Sequence, residues 1–148
     1  MLAEYGDSDL LCYRADTPEG LVARQAEVWD PLLDWGAEAL GARLEPRSGI
    51  LHEGQDSAAL EALRQQVHAF TAFELAAFHD LVGISGSLIL GFAAAKDHLS
   101  VDELWEASRL DERWQEEQWG IDDEARSMEE EKKKSFSHAV AFFRAASA

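Results

Sequence analysis

Residues able to cap a helix recur along this chain at Thr17, Ser57, Thr71, Ser100 and Asp122, each ahead of apolar residues spaced three and four apart. That rhythm constrains the fold more than any other feature. Thr71 and Ser100 each have a glutamate three residues on, Glu74 and Glu103. In this pairing the hydroxyl and the carboxylate satisfy each other's backbone amides at the first turn. Thr17-Pro18-Glu19 offers a hydroxyl cap, a proline where a missing N–H costs nothing, and an acid near the positive end of the helix dipole. Only three prolines and ten glycines interrupt 148 residues, so helix is expected nearly throughout.

The apolar spacing divides the chain. Val22, Trp29, Leu33, Gly36 and Leu40 keep one phase across Asp30-Pro31, which predicts a kinked or closely joined pair of helices ending at Gly41. Leu44 to Gly54, with Pro46 and two glycines, reads as a loop. Ser57 should cap a helix carrying Leu60, Leu63, Val67 and Phe70, and Thr71 one with Phe73, Ala77 and Phe78 on one side. Ser100 should open a helix from about Val101 to Trp119, with Gly120 as its left-handed terminator. Asp122 should cap a last helix with Ala125, Met128, Lys132, Phe136, Ala139 and Phe143 in register. The first fifteen residues read as an apolar lead-in that packs onto the rest. The expectation is all-α: one helical domain over residues 1–148, an irregular bundle of about six helices. Its core should hold Trp29, Leu33, Leu40, Leu63, Val67, Phe78, Leu88 and Phe92.

Between these elements Gly83, Ser87, Gly91 and Ala95 repeat every four residues. On one helix such a stripe is a smooth groove that lets another backbone approach closely, so Gly91 is expected against one. The ordinary reading is a central helix packed by its own neighbours. The stretch lacks the lysine and preceding strand of a phosphate loop, and the spacing of a hydrolase elbow.

Charge narrows the function. Lysine and arginine number 13 against 29 acids, a net charge of −16. This disfavours nucleic acid and anionic lipid as partners and leaves a basic or partly folded protein. The most apolar run, Leu81 to Ala95, is too short to cross a bilayer, so no membrane insertion is expected. A lone Cys12 excludes an internal disulfide or a cysteine-based zinc site. None of the five histidines stands three residues after a glutamate, as a carboxylate-bridged metal centre in a bundle would require. No catalytic residue, metal or cofactor is therefore assigned, and the chain is not read as an enzyme. Glu129-Glu130-Glu131-Lys132-Lys133-Lys134 reads as a solvated helix face stabilised by pairs one turn apart.

One segment stands out as a partner-binding candidate: Asp111, Glu112, Trp114, Gln115 and Trp119. On a helix Asp111 and Gln115 share a side, with Glu112 and Glu116 adjacent a turn apart. Between Ser100 and Glu131 there are 13 acidic and 3 basic residues. Tryptophan beside a charged rim is typical of interface anchors, and a core tryptophan on a solvated acidic helix is the competing account.

Five motifs, in this order and spacing, resemble one family. They are Leu11-Cys12-Tyr13-Arg14, Arg24-Gln25, Trp29-Asp30-Pro31-Leu32-Leu33-Asp34-Trp35, Ser87-Leu88-Ile89-Leu90, and Asp111-Glu112 with Trp114-Gln115 and Trp119-Gly120. The family is the F(1)-ATPase assembly chaperones that act on the alpha subunit of the ATP synthase. The resemblance runs from about Ala3 to Phe143. It implies a chaperone that binds the unassembled alpha subunit and shields its beta-facing apolar surface until assembly, with no chemical step. It also implies an acidic functional position at Asp111 or Glu112, and a bacterial cytoplasm, or the mitochondrial matrix for eukaryotic relatives. Family members carry a small strand-containing domain before the helical one. This chain resembles only the latter, so a fragment is expected; separately, a monomer is expected. The competing reading is a helical interaction domain that homodimerises through the small-residue groove or the last helix.

Overall fold

The computed structural model describes residues 2–48 and 54–148, with side chains from Tyr5 onward. Among these the helices are α1, Glu19–Ala39; α2, Ser57–His68; α3, Ala72–Ser85; α4, Leu88–Ala95; α5, Val101–Ser108; α6, Leu110–Trp119; and α7, Asp123–Ser147. The lead-in winds into two 3-10 stretches, Leu2–Ser8 and Leu10–Cys12. It then forms β1, Tyr13–Arg14, paired in parallel with β2, Arg47–Ser48. The segment expected to be a plain loop thus contributes a short strand; its residues 49–53, His52 included, lie outside the described residues. Two strands of two residues make no layer, and the all-α expectation stands.

Local caps form largely as the sequence dictates. Thr71 and Ser100 make complete capping boxes with Glu74 and Glu103, and Asp122 accepts the amides of Glu124 and Ala125. Two caps differ by one residue. Pro18, not Thr17, is the N-cap of α1, its carbonyl accepting the amides of Leu21 and Val22 at 3.0 and 3.1 Å. Its backbone is extended, so the helix starts after it and no side chain caps the end. Asp56, not Ser57, caps α2, its carboxylate accepting the Ala59 amide at 3.3 Å. A carboxylate in the cap position gains from the helix dipole as well as the hydrogen bond. Pro31 lies inside an unbroken α1.

All eight expected core residues are buried. At the centre lies α4, buried from Leu88 through Ala94. Phe70, Phe78 and Phe92 pack with ring centroids 4.7–5.9 Å apart, and Phe143 of α7 meets Phe70 edge-on. Short α4 is anchored by an unexpected group, Asp9. This fully buried carboxylate accepts the amides of Leu11 and Ile89, both at 3.0 Å, and so fastens the lead-in to the start of α4. Burial pushes its pKa up, against the lowering effect of the bonds from Ile89, Ser87, Leu11 and Leu88.

The small-residue groove does not exist. Gly86 adopts φ 78° and ends α3, donating its amide to the Val82 carbonyl at 2.8 Å. Ser87 then caps α4 by accepting the Leu90 amide at 3.0 Å. Gly83 and Gly91 therefore sit on different helices. Gly83 faces solvent, and a β-carbon there would meet nothing within 4 Å. Gly91 meets side chains rather than a backbone: its β-carbon would lie 3.0 Å from Val82 Cγ2 and 3.2 Å from Phe78 Cε1.

Candidate interaction surface

The helix expected from Val101 to Trp119 is two helices, and the break aims the candidate residues. At Arg109 the backbone leaves helical values, with φ −107° and ψ 16°. Two side chains engage the carbonyls just before it. The Trp29 indole donates to Ala107 O at 2.9 Å inside the core, and the Ser108 hydroxyl donates to Trp105 O at 2.6 Å. The Arg109 guanidinium lies 5.0 Å from the Trp105 ring centroid. A tryptophan from α1 thereby helps set the direction in which α6 departs.

One side of α6 packs toward α1. Gln25, buried in α1, donates its amide N–H to Asp111 Oδ1 at 2.8 Å and accepts the Ala15 amide at 2.9 Å. This single side chain ties the lead-in, α1 and α6 together. Trp114 lies over Gly20, where a β-carbon would come within 2.7 Å of the indole. Arg24 covers the other part of that ring, its guanidinium 4.9 Å from the centroid, and pairs with Glu117 through both carboxylate oxygens. The hydrogen bond to Glu117 raises the Arg24 pKa, and the bond from Arg24 lowers that of Glu117. Beside these lies a hollow of about 330 Å³, bordered by Tyr13, Arg14, Leu21, Asp111, Trp114 and Gln115. Arg14 is held over Trp29 at 5.6 Å, donates to Leu11 O at 2.8 Å and pairs with Asp30 at 2.8 Å.

The other side of α6 faces α7. Arg113 is its hub, forming a two-pronged pair with Glu129 at 2.8 and 2.9 Å and reaching Glu106 at 2.8 Å and Glu116 at 3.4 Å. Arg126 also holds Glu116, at 3.0 Å. Burial pushes the Glu129 carboxyl up, but the Arg113 hydrogen bond and the charges of Arg113, Arg126 and Arg109 more than reverse this and hold it below the usual range. The expected solvated run is thus stitched inward at Glu129, and at Lys133, which pairs with Asp102 at 2.9 Å. Glu112 belongs to this side, 3.8 Å from Arg109, and borders a second hollow of about 390 Å³ together with Gln115, Trp119 and Met128.

The five candidates therefore divide. Asp111, Trp114 and Gln115 share the α1-facing hollow; Glu112 and Trp119 share the α7-facing one, with Gln115 between. Gly20 as the seat of an indole was not visible in the sequence, since nothing local links it to a residue so far along the chain. The buried bridge of Gln25 was visible only as part of a motif. Among the described residues no group of three or more His, Cys, Asp or Glu side chains is placed to hold a metal, and no helix is long and apolar enough to cross a membrane.

What this geometry presents is an all-helical scaffold with open, charged and aromatic hollows. The particular likeness is to proteins named ATP12. The family model described as ATP12 chaperone protein matches residues 1–37. The mitochondrial protein atp12 of Schizosaccharomyces pombe is 29% identical over 147 residues, which take in 94% of this chain and 50% of that protein. Among solved structures, an aspartate-to-lysine mutant of P. denitrificans Atp12p superposes with a TM-score of 0.95 at 41% identity, over 99% of this chain and 62% of that one. Atp12 from Paracoccus denitrificans itself gives 0.94 at 42% identity, over 97% and 62%. The chain spans about half the length of the curated relative and under two thirds of the solved ones.

Proposed function

We propose that this chain is the helical domain of an ATP synthase F(1) assembly chaperone, which binds the unassembled alpha subunit and shields its beta-facing apolar surface until assembly. The observation that carries the reading is spatial. Motif residues scattered over a hundred positions, Arg14, Gln25, Trp29, Asp111 and Trp114, come together around one hollow and the break that orients it. Near-complete superposition on Atp12 supports the assignment of that arrangement to the same kind of task. In this reading Asp111, Glu112, Trp114, Gln115 and Trp119 form the partner-binding surface of α6. The domain works as a monomer in a bacterial cytoplasm and catalyses no reaction. Holding a client requires solubility and an apolar surface with a charged surround, which the −16 charge and the tryptophans on α6 supply.

Co-expression with the alpha and beta subunits of one bacterial ATP synthase, followed by affinity capture of this chain, tests the reading. Alpha should be retained in the absence of beta and lost when beta is abundant. Retention of neither subunit, or equal retention of beta alone, would contradict it.

A further inference from the structure

We propose that the groove between the end of α6 and the start of α7 docks a basic, amphipathic segment of a partner protein, with Trp119 as its anchoring side chain. The inference rests on the chaperone reading only for the kind of partner, an unassembled polypeptide; the groove is argued from its own chemistry.

The apolar face of α7 is only half used. Phe136, Ala139 and Phe143 are buried, but the same stripe continues toward the helix start through Lys132 to Met128 and Ala125, which are exposed. Met128 is 60% exposed, and across the hollow Trp119 is 87% exposed. Ile121, just past the turn at Gly120, is 58% exposed. Two large apolar side chains on one hollow, with a third exposed in the turn beside it, are costly to leave in water and mark an interaction site. Tryptophan is the residue most enriched among interface anchors, and the flexible thioether of methionine adapts to varied partners.

The charge around the groove chooses the occupant. The arginines nearby are already engaged: Arg113 by three glutamates, Arg126 by Glu116, and Arg109 over Trp105. Counted through the lysines that follow, Lys132 on the groove itself among them, Ser100–Lys134 carries 13 acids against 6 basic residues, so the rim remains negative. A segment with lysine or arginine on one face and apolar residues on the other satisfies both the rim and the floor. A second copy of this chain does not. A two-fold pair would set the acidic rim against itself, between molecules of charge −16.

The test uses labelled eighteen-residue peptides of lysine and leucine in helical amphipathic spacing, a counterpart with glutamate for lysine, and a shuffled peptide of the first composition. Binding is read by fluorescence anisotropy, with light scattering to follow the oligomeric state. The amphipathic basic peptide should bind the chain at least tenfold tighter than the other two. Trp119→Ala should weaken it about tenfold and the Trp119→Ala/Met128→Ala pair further, while Trp119→Phe restores part of the loss. Phe73→Ala removes an aromatic ring 71% exposed on α3 and should change binding by less than twofold. Both groove side chains are exposed, so circular dichroism should be unaltered. Equal binding by the double variant, equal binding of the shuffled or acidic peptide, or a dimer abolished by Trp119→Ala would each overturn the proposal. Peptide binding without capture of the alpha subunit would instead count against the chaperone reading and leave the groove standing. Alpha capture indifferent to Trp119→Ala would remove the groove alone.

Discussion

Replacing Asp111 with lysine should destabilise this domain, whereas the same reversal next door at Glu112 should not. Asp111 accepts a hydrogen bond of 2.8 Å from the amide of Gln25, which is itself buried. Lysine offers no acceptor and leaves that amide without a partner, a loss of about 1.5–3 kcal/mol for a bond to a charged group. In a domain of this size each kcal/mol moves the melting midpoint by about 2–4 °C, so the fall should be roughly 3–12 °C. Asp111→Asn keeps an oxygen acceptor and gives up only the charge, which predicts a loss of about 1 kcal/mol. Glu112 is half exposed and only 3.8 Å from Arg109, so Glu112→Lys should shift stability by less than about 0.5 kcal/mol. Both reversals change net charge equally, so the comparison isolates the Gln25 bond. Thermal melts followed by far-ultraviolet circular dichroism measure it. Equal midpoints for Asp111→Lys and Glu112→Lys would refute the reasoning. The ordering also guides functional work: Asp111→Asn, not the lysine variant, separates a role in client binding from a role in folding.

Gly83 and Gly91, alike in their sequence spacing, should respond differently to alanine. Gly91→Ala drives a methyl group to 3.0 Å from Val82, and the overpacking of about 1–3 kcal/mol should cancel or exceed the roughly 0.5–1 kcal/mol of helix propensity that Gly83→Ala, filling open space on α3, should gain outright in urea titrations. The acid limb of the stability curve should carry the Glu129 signature. Its folded pKa is held below the ordinary 4.5, so its contribution is present above that pH and is lost as pH falls through the folded value. Glu129→Gln should therefore narrow the gap between melting midpoints at pH 7 and pH 3; an unchanged gap would show that the Arg113 pair contributes nothing.

The parts of this fold legible in the sequence are those decided locally. The capping boxes at Thr71 and Ser100 depend on residues three apart, and the core follows from helical periodicity, so both appear as read. The break at Gly86 was also written locally, as a glycine terminator followed by a serine cap. A competing four-residue period of small side chains masked it. The break at Arg109 had no such signal. Ala107-Ser108-Arg109-Leu110 contains no glycine or proline, and the indole engaged beside the break arrives from Trp29 in another helix. Asp9 looked like one more polar turn residue and is instead the buried tie between the lead-in and α4. The candidate site divides in the same way. Its residue types were visible on α6, but their separation onto two faces depends on where α1 and α7 pack, which no spacing along α6 encodes.

The central claim, that this domain holds an unassembled alpha subunit, is tested most directly by light scattering from purified alpha subunit diluted out of denaturant. With equimolar chain present scattering should stay near baseline, and later addition of beta subunit should convert the held alpha into an assembled hexamer on a sizing column. Scattering that rises as it does without the chain, or held alpha that beta cannot recover, would contradict it.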